Sequence, residues 1–314
     1  MLVKFILRRT AMAIPTLVLV SVVVFIMMRA VPGDPVLLML GDMAKPEQIE
    51  AMRRSMGLDQ PWAIQYLRWA GGILTGDFGQ SITNDLPVLP VMLDKFQVTA
   101  TVVILAVLLT SLIAVPAGLL AAWKQNSMTD LAVVGAATLL LSVPSFWIGL
   151  LMLLLFGLKL GWLPIVGYVS FGENPWAALL YLIMPVATLM MQEMGFVARM
   201  ARSSTIDVLR LEYITHARAK GLSEPAVLWK HAFRNAFAPT WTVIGLILGS
   251  LLGGIAVIET VFTIPGLGRL LVDSIYARDY PMVQGCLLLI AGIYVVVNLI
   301  VDLLYPLFDP RVTA

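Results

Sequence analysis

Residues 205–239 read TIDVLRLEYITHARAKGLSEPAVLWKHAFRNAFAP, from Thr205 to Pro239, and form the long polar interruption in an otherwise apolar second half. Ser203, Ser204 and Thr205 offer hydroxyls for a helix N-cap, and Asp207 places a carboxylate in the first turn, where the helix dipole favours it. Ile206, Leu209, Tyr213 and Ala217 recur at three- and four-residue spacing and make one apolar stripe. Gly221 ends the pattern as a glycine beyond a helix C-terminus does. Ser223-Glu224-Pro225 restarts a helix with proline in its first turn, carrying Val227, Trp229, Ala232, Phe233 and Ala236, and Pro239 marks its passage into the next apolar run. The stretch therefore predicts helix, glycine turn, helix. Small residues at Ala217, Ala219 and Gly221 suit close approach by a partner. The same basic, amphipathic stretch would equally suit anionic lipid, and periodicity leaves both readings open.

On either side lie runs long enough to cross a bilayer core, which takes about 20 apolar residues. They cover 11–28, 98–122, 131–158, 177–197, 240–258 and 282–304. The fold class expected is an all-α polytopic membrane protein with six transmembrane helices, one domain over 1–314. Lys4, Arg8 and Arg9 before the first run resemble a signal sequence, but the run is long enough to span and no small-residue cleavage site follows. Residues 31–95 are polar and Gly/Pro-punctuated, with short amphipathic helices expected at 47–56 and 62–73; they read as an extracytoplasmic cap. The polar loop is placed at 198–239. With the N-terminus inside, twelve basic residues fall on inner segments and nine on outer ones. Seven of the twelve lie between Arg199 and Arg234, which favours cytoplasmic termini.

Of the 314 residues, 60% are hydrophobic and 13% charged, against about 25% charge in soluble domains. The net charge of +2 gives no footing for nucleic acid, and the single cysteine, Cys286, excludes an intrachain disulfide. His216 and His231 have no third ligand nearby, so no metal site is expected. No phosphate-binding loop, H-E-x-x-H or G-x-S-x-G is present, which argues against nucleotide binding in this chain and against an intramembrane enzyme.

Several separated motifs occur in order: Glu212-Tyr213-Ile214-Thr215-His216-Ala217-Arg218-Ala219-Lys220-Gly221-Leu222, Lys230-His231-Ala232-Phe233-Arg234-Asn235-Ala236, Glu259-Thr260-Val261-Phe262, Pro265-Gly266-Leu267-Gly268-Arg269-Leu270-Leu271-Val272-Asp273 and Arg278-Asp279-Tyr280-Pro281. Pro32-Gly33-Asp34-Pro35 and Gly57-Leu58-Asp59-Gln60-Pro61 precede them. Together they resemble the dipeptide/oligopeptide branch of ABC importer permeases, in particular its B-type subunit. Thr215-His216-Ala217 stands where the wider family has Glu-Ala-Ala, and proline comes late, at Pro239. The resemblance implies a type I importer-like fold and a coupling helix engaging a cytoplasmic ATPase through Glu212, Thr215, His216, Ala217, Ala219 and Gly221. It also implies a second permease, two ATPases that bind the ATP and magnesium, and an extracytoplasmic binding protein. The cofactor expectation for this chain is none, and the setting is a bacterial inner membrane. Peptides are the cargo expected; nickel chelates, glutathione-like peptides and oligosaccharides are alternatives within the group. A secondary transporter driven by buried charge is the reading from another class.

Gly245, Gly249 and Gly253 repeat at four-residue spacing, a ridge for a subunit interface, the transport path or packing within the chain. Glu193 lies within an apolar run, where a carboxylate at the bilayer centre costs about 2.5–3.5 kcal/mol on insertion scales. It is expected to pair with Arg199 or Arg202 near the inner surface or, alternatively, to make a substrate-amine or gating contact; Asp302 is expected to find a pairing of the same kind. Glu259, Pro265, Gly266, Gly268, Arg269 and Asp273 are expected at the outer mouth, as a gate or a binding-protein contact.

Overall fold

The computed structural model describes residues 2–30, 35–40 and 44–308. Pro32, Gly33 and Asp34 of the opening motif and Arg311 of the charge count lie outside them. Among the described residues the regular structure is helical, apart from one isolated antiparallel bridge between Gln80 and Pro87.

Helix α1 spans Leu2–Ala30 with Pro15 inside it. The cap follows as α2 (Pro35–Leu40), α3 (Pro46–Ser55) and α4 (Trp62–Leu74), so both amphipathic helices form where expected. The cap aromatics pack onto the membrane helix. Tyr66 and Trp69 lie 5.5 and 5.7 Å from the Phe25 ring of α1, and the Tyr66 hydroxyl is 2.8 Å from Ser21 Oγ.

Helix α5 runs Val88–Trp123, starting ten residues before the expected span and taking the last part of the predicted cap into a helix. The third run breaks into α6 (Met128–Ser142) and α7 (Ser145–Met152), which continues as a π-helical turn over Leu153–Lys159. The two halves meet at 95°. Pro144 causes the break: its ring excludes Val143 from helical geometry, leaving it extended at φ −105, ψ 125. Helix α8 (Pro175–Leu209) continues twelve residues beyond its expected end. A short helix α9 (Glu212–Ala219) follows. Helix α10 (Glu224–Ala226), a π turn over Val227–Ala232 and α11 (Phe233–Gly254) then form one 31-residue rod, with Pro239 inside it rather than at its mouth. Helices α12 (Ala256–Val261), α13 (Leu267–Tyr276) and α14 (Tyr280–Leu304) complete the chain, with a 3-10 turn at Tyr305–Leu307.

Among the described residues five helices are long and apolar enough to cross a membrane, and the bent pair makes a sixth if it crosses. Helix–helix ties decide that it does. The cap segment before α5 touches the start of α14, where Asp279 accepts from Ser81 Oγ and from the Ile82 amide at 3.2 Å. At the opposite end of the bundle, Arg202 near the end of α8 holds Asp130 in the first turn of α6, at 2.5 and 2.7 Å. The start of α6 and the end of α8 are therefore on one side, so the bent pair must carry the chain across. Arg9 and Asp302, 2.9 Å apart, likewise place the start of α1 beside the end of α14.

The core is built around α5, α8 and α11. A Cβ at Gly118 would lie 2.5 Å from the Ala198 carbonyl and 2.7 Å from Ala201, and one at Gly195 would meet Leu141 and the Ala137 carbonyl. These glycines let α5 and α6 seat against α8, and the sequence reading passed over both.

Candidate functional site

The loop between α8 and α11 is more compact than residues 198–239. Ser203, Ser204 and Thr205 do not cap a helix; they lie inside α8. The Thr205 hydroxyl donates to the Ala201 carbonyl at 2.6 Å, so it is satisfied without ending the helix. The interruption falls instead at Arg210–Leu211, and only 210–223 lies outside the long helices, with α9 as its helical part.

Helix α9 turns Ile214 and Ala217 inward, fully buried and nearly so, into the core that also holds Val227, Leu228 and Ala232 of the π turn it packs on. The apolar stripe is thus Ile214–Ala217, not the Leu209–Tyr213–Ala217 line, because the break at Arg210–Leu211 resets the helical phase. Ala217 is small for packing within this chain. Glu212, Thr215, His216 and Ala219 lie exposed on the other side, as does Gly221 beyond the end.

Gly221 closes α9 as expected. Its φ is +80, its amide donates to the Arg218 carbonyl at 2.9 Å, and the Leu222 amide reaches the Ala217 carbonyl at 3.4 Å. That pair of bonds is a Schellman closure. A Cβ at Gly221 would meet nothing, so backbone conformation, not space within this chain, demands glycine there. Arg218 braces the turn with a forked contact to Glu224 at 2.8 and 3.2 Å.

The other candidate residues separate into structural and exposed groups. Gly245 and Gly249 face α14, where a Cβ would overlap Val301 or lie 2.7 Å from Tyr294; Gly253 has ordinary clearance from Ile290. The ridge therefore packs within the chain. Glu193 is buried in α8 but pairs with neither expected arginine: Arg202 is committed to Asp130, and Arg199 lies over the Phe196 ring at 5.8 Å. Asp302 does find an ion pair, with Arg9 on α1.

Glu259 is fully buried and has no face to offer a binding protein. Its carboxylate accepts from Thr99 Oγ1 of α5 at 2.5 Å and from the Arg269 amide at 2.8 Å, with the Gly268 amide also donating. Thr99 in turn accepts from the Leu267 amide at 2.8 Å. A carboxylate at the start of α13 satisfies amides that the helix itself leaves unpaired. Gly266 and Gly268 are buried for the same junction: a Cβ at Gly266 would overlap the Glu259 carboxylate, and one at Gly268 would lie 2.8 Å from the Ala256 backbone. Pro265 is half-buried beside them. Asp273 is exposed with partly exposed Arg269 a turn away, and Ile275 and Tyr276 are exposed beyond them.

Two family descriptions match this chain. Residues 114–314 match the binding-protein-dependent transport system inner membrane component, and residues 1–104 match the N-terminal part of the membrane component of such systems. The chain belongs to this family of inner-membrane permeases: it is a transport subunit of an importer complex, not an enzyme. It is 42% identical to a peptide transport system permease protein of Brucella melitensis, over 99% of each chain. It is 37% identical to the oligopeptide transport system permease protein AppB of Bacillus subtilis, over 98% of each, and 37% identical to the dipeptide transport system permease protein DppB of Escherichia coli, over 99% of each.

Proposed function

We propose that this permease imports peptides, driven by ATP that partner subunits bind and hydrolyse, and that α9 is the element those ATPases grip. The observation that carries the coupling role is the division of α9 into two sides. Ile214 and Ala217 seat it on the bundle, while Glu212, Thr215, His216 and Ala219 are left exposed with Gly221 at the end. A helix lying on lipid would turn its apolar face to the membrane; here Ile214 and Ala217 are buried inside the protein, while Leu211, Tyr213 and Leu222 stay exposed. Peptide cargo is supported by relatives of matching length named for peptide, oligopeptide and dipeptide transport. The assembly we propose has a second, different permease, two ATPases and an extracytoplasmic binding protein. Its α9 end and both termini face the cytoplasm, following the basic residues between Arg199 and Arg234. Glu193, buried without an arginine partner, belongs in this reading to the transport path; Arg269 and Asp273 are the members of the outer group left with surface for a binding protein.

The test is cysteine cross-linking in the assembled transporter. Ala219→Cys is expected to cross-link to an ATPase subunit, with an efficiency that changes when nucleotide is added. Uptake of labelled peptide should stop when ATP is depleted. Uptake that survives ATP depletion but collapses with the proton gradient would replace this reading with a secondary transporter.

A further inference from the structure

Helix α9 is joined to the rod that follows it by two kinds of contact. One is apolar: α9 packs on the π turn, and Ile214 and Ala217 share one buried core with Val227, Leu228 and Ala232 of that turn. The other runs through one phenol. The Tyr213 hydroxyl donates to the His231 carbonyl at 3.3 Å and accepts from Asn235 Nδ2 at 2.7 Å. Apolar contact is non-directional and tolerates sliding. A hydroxyl that both donates and accepts fixes the register.

The landing points fall on two interruptions of the rod's hydrogen-bond ladder, His231 within a π turn and Asn235 four residues before Pro239. Val227–Ala232 is a π turn, in which the Phe233 amide reaches back to the Leu228 carbonyl, five residues away. On the other side, the Asn235 carbonyl would ordinarily receive the amide of residue 239, and Pro239 has none. Helices bend where the hydrogen-bond ladder is interrupted in these ways. Tyr213 therefore holds α9 to a compliant joint between the loop and α11.

We infer that Tyr213, with Asn235 as its partner, is a positioning residue that carries displacement of α9 into α11. Without the hydroxyl, α9 keeps its apolar seat but slips instead of moving the rod. This rests on the reading of α9 as the ATPase-docking helix. It also gives a physical reason why the stretches 212–222 and 230–236 occur together: one supplies the phenol and the other both of its partners.

The test uses the complete transporter in liposomes, with Tyr213→Phe, Asn235→Ala and the double variant, and measures peptide taken up per ATP hydrolysed. Each single variant should lower that ratio by about threefold to tenfold, the weight of one hydrogen bond in a conformational equilibrium. The double variant should be no worse than the stronger single one, because both remove the same contact. ATPase subunits should co-purify at the parent level. A parent-level ratio in both single variants overturns the inference. So does loss of co-purification, since Tyr213 would then hold the dock rather than transmit from it. The Ala219→Cys cross-link is read in the parent background; its absence there overturns the docking reading itself, which separates the two failures.

Discussion

Glu259 shows what a single carboxylate does at the junction of α5, α12 and α13. Burial holds its pKa above the ordinary carboxylate range, while the bonds from Thr99 and the amides of Arg269 and Gly268, with the nearby Arg269 charge, pull it down. A raised carboxyl pKa means that the folded protein holds the proton more tightly than the unfolded chain. Stability therefore falls as pH rises from the ordinary value through the folded one, and is regained on acidification. Glu259→Gln removes that titration and also one acceptor, setting an amide NH2 against a donor. It is expected to destabilise the protein by about 1–3 kcal/mol, as an unsatisfied buried donor does. Thermal unfolding of the purified permease from pH 4.5 to neutrality, roughly the range just above an unperturbed carboxyl, should show a lower midpoint and a flatter pH dependence in the variant. An unchanged midpoint and slope would mean that Glu259 is not holding α13. Its sequence context placed Glu259 in the outer region, but not inside it. Burial depended on Thr99, 160 positions earlier, and no local pattern announces such a partner.

At the scale of the element, apolar runs and breaks were legible where the cause is local. The cap helices, the Gly221 turn and the existence of the apolar runs follow from patterning and turn chemistry. Helix ends were not legible where a distant partner sets them. Helix α8 runs on past its apolar stretch, and there Arg202 is paired with Asp130, 72 positions away. Pro144 breaks its helix whereas Pro116, Pro185 and Pro239 are absorbed, a difference the identity of proline does not encode. The Gly245–Gly249–Gly253 ridge was visible by its spacing; the close approaches at Gly118, Gly195 and Gly285 were not, because a single glycine has no period. The ridge makes a graded prediction. Gly245→Leu collides with Val301 and is expected to cost about 1–3 kcal/mol through overpacking. Gly254→Leu meets nothing within the chain and should leave the yield and melting temperature of the detergent-purified permease near the parent. Equal melting in both variants would mean that α11 does not pack on α14 as described. Normal folding with lost uptake in Gly254→Leu would place that position against another subunit or the path.

Among the described residues, the ties that carboxylates make between distant helices sort to two ends of the molecule. Arg9–Asp302 and Asp130–Arg202 join helix ends on the side of α9. Ser81–Asp279 and Thr99–Glu259 join the cap, α5, α12 and α14 on the other. This sorting requires the bent pair to cross. Helix α6 alone, at fifteen residues, reaches only about 22 Å of a roughly 30 Å core, so α7 and its π turn must complete the passage despite the 95° bend. The consequence is measurable with an impermeant thiol reagent after Cys286→Ala. Leu74→Cys in the cap and Glu173→Cys after the bent pair should label from outside in intact cells. Gln125→Cys before the bent pair and Ser223→Cys after α9 should label only once the membrane is opened. All four sites are exposed in the folded chain. Were the pair re-entrant, Glu173 would label with Gln125, and Ser223 with Leu74. That result would put Asp130 and Arg202 on opposite faces of the membrane, which an ion pair of 2.5 Å forbids.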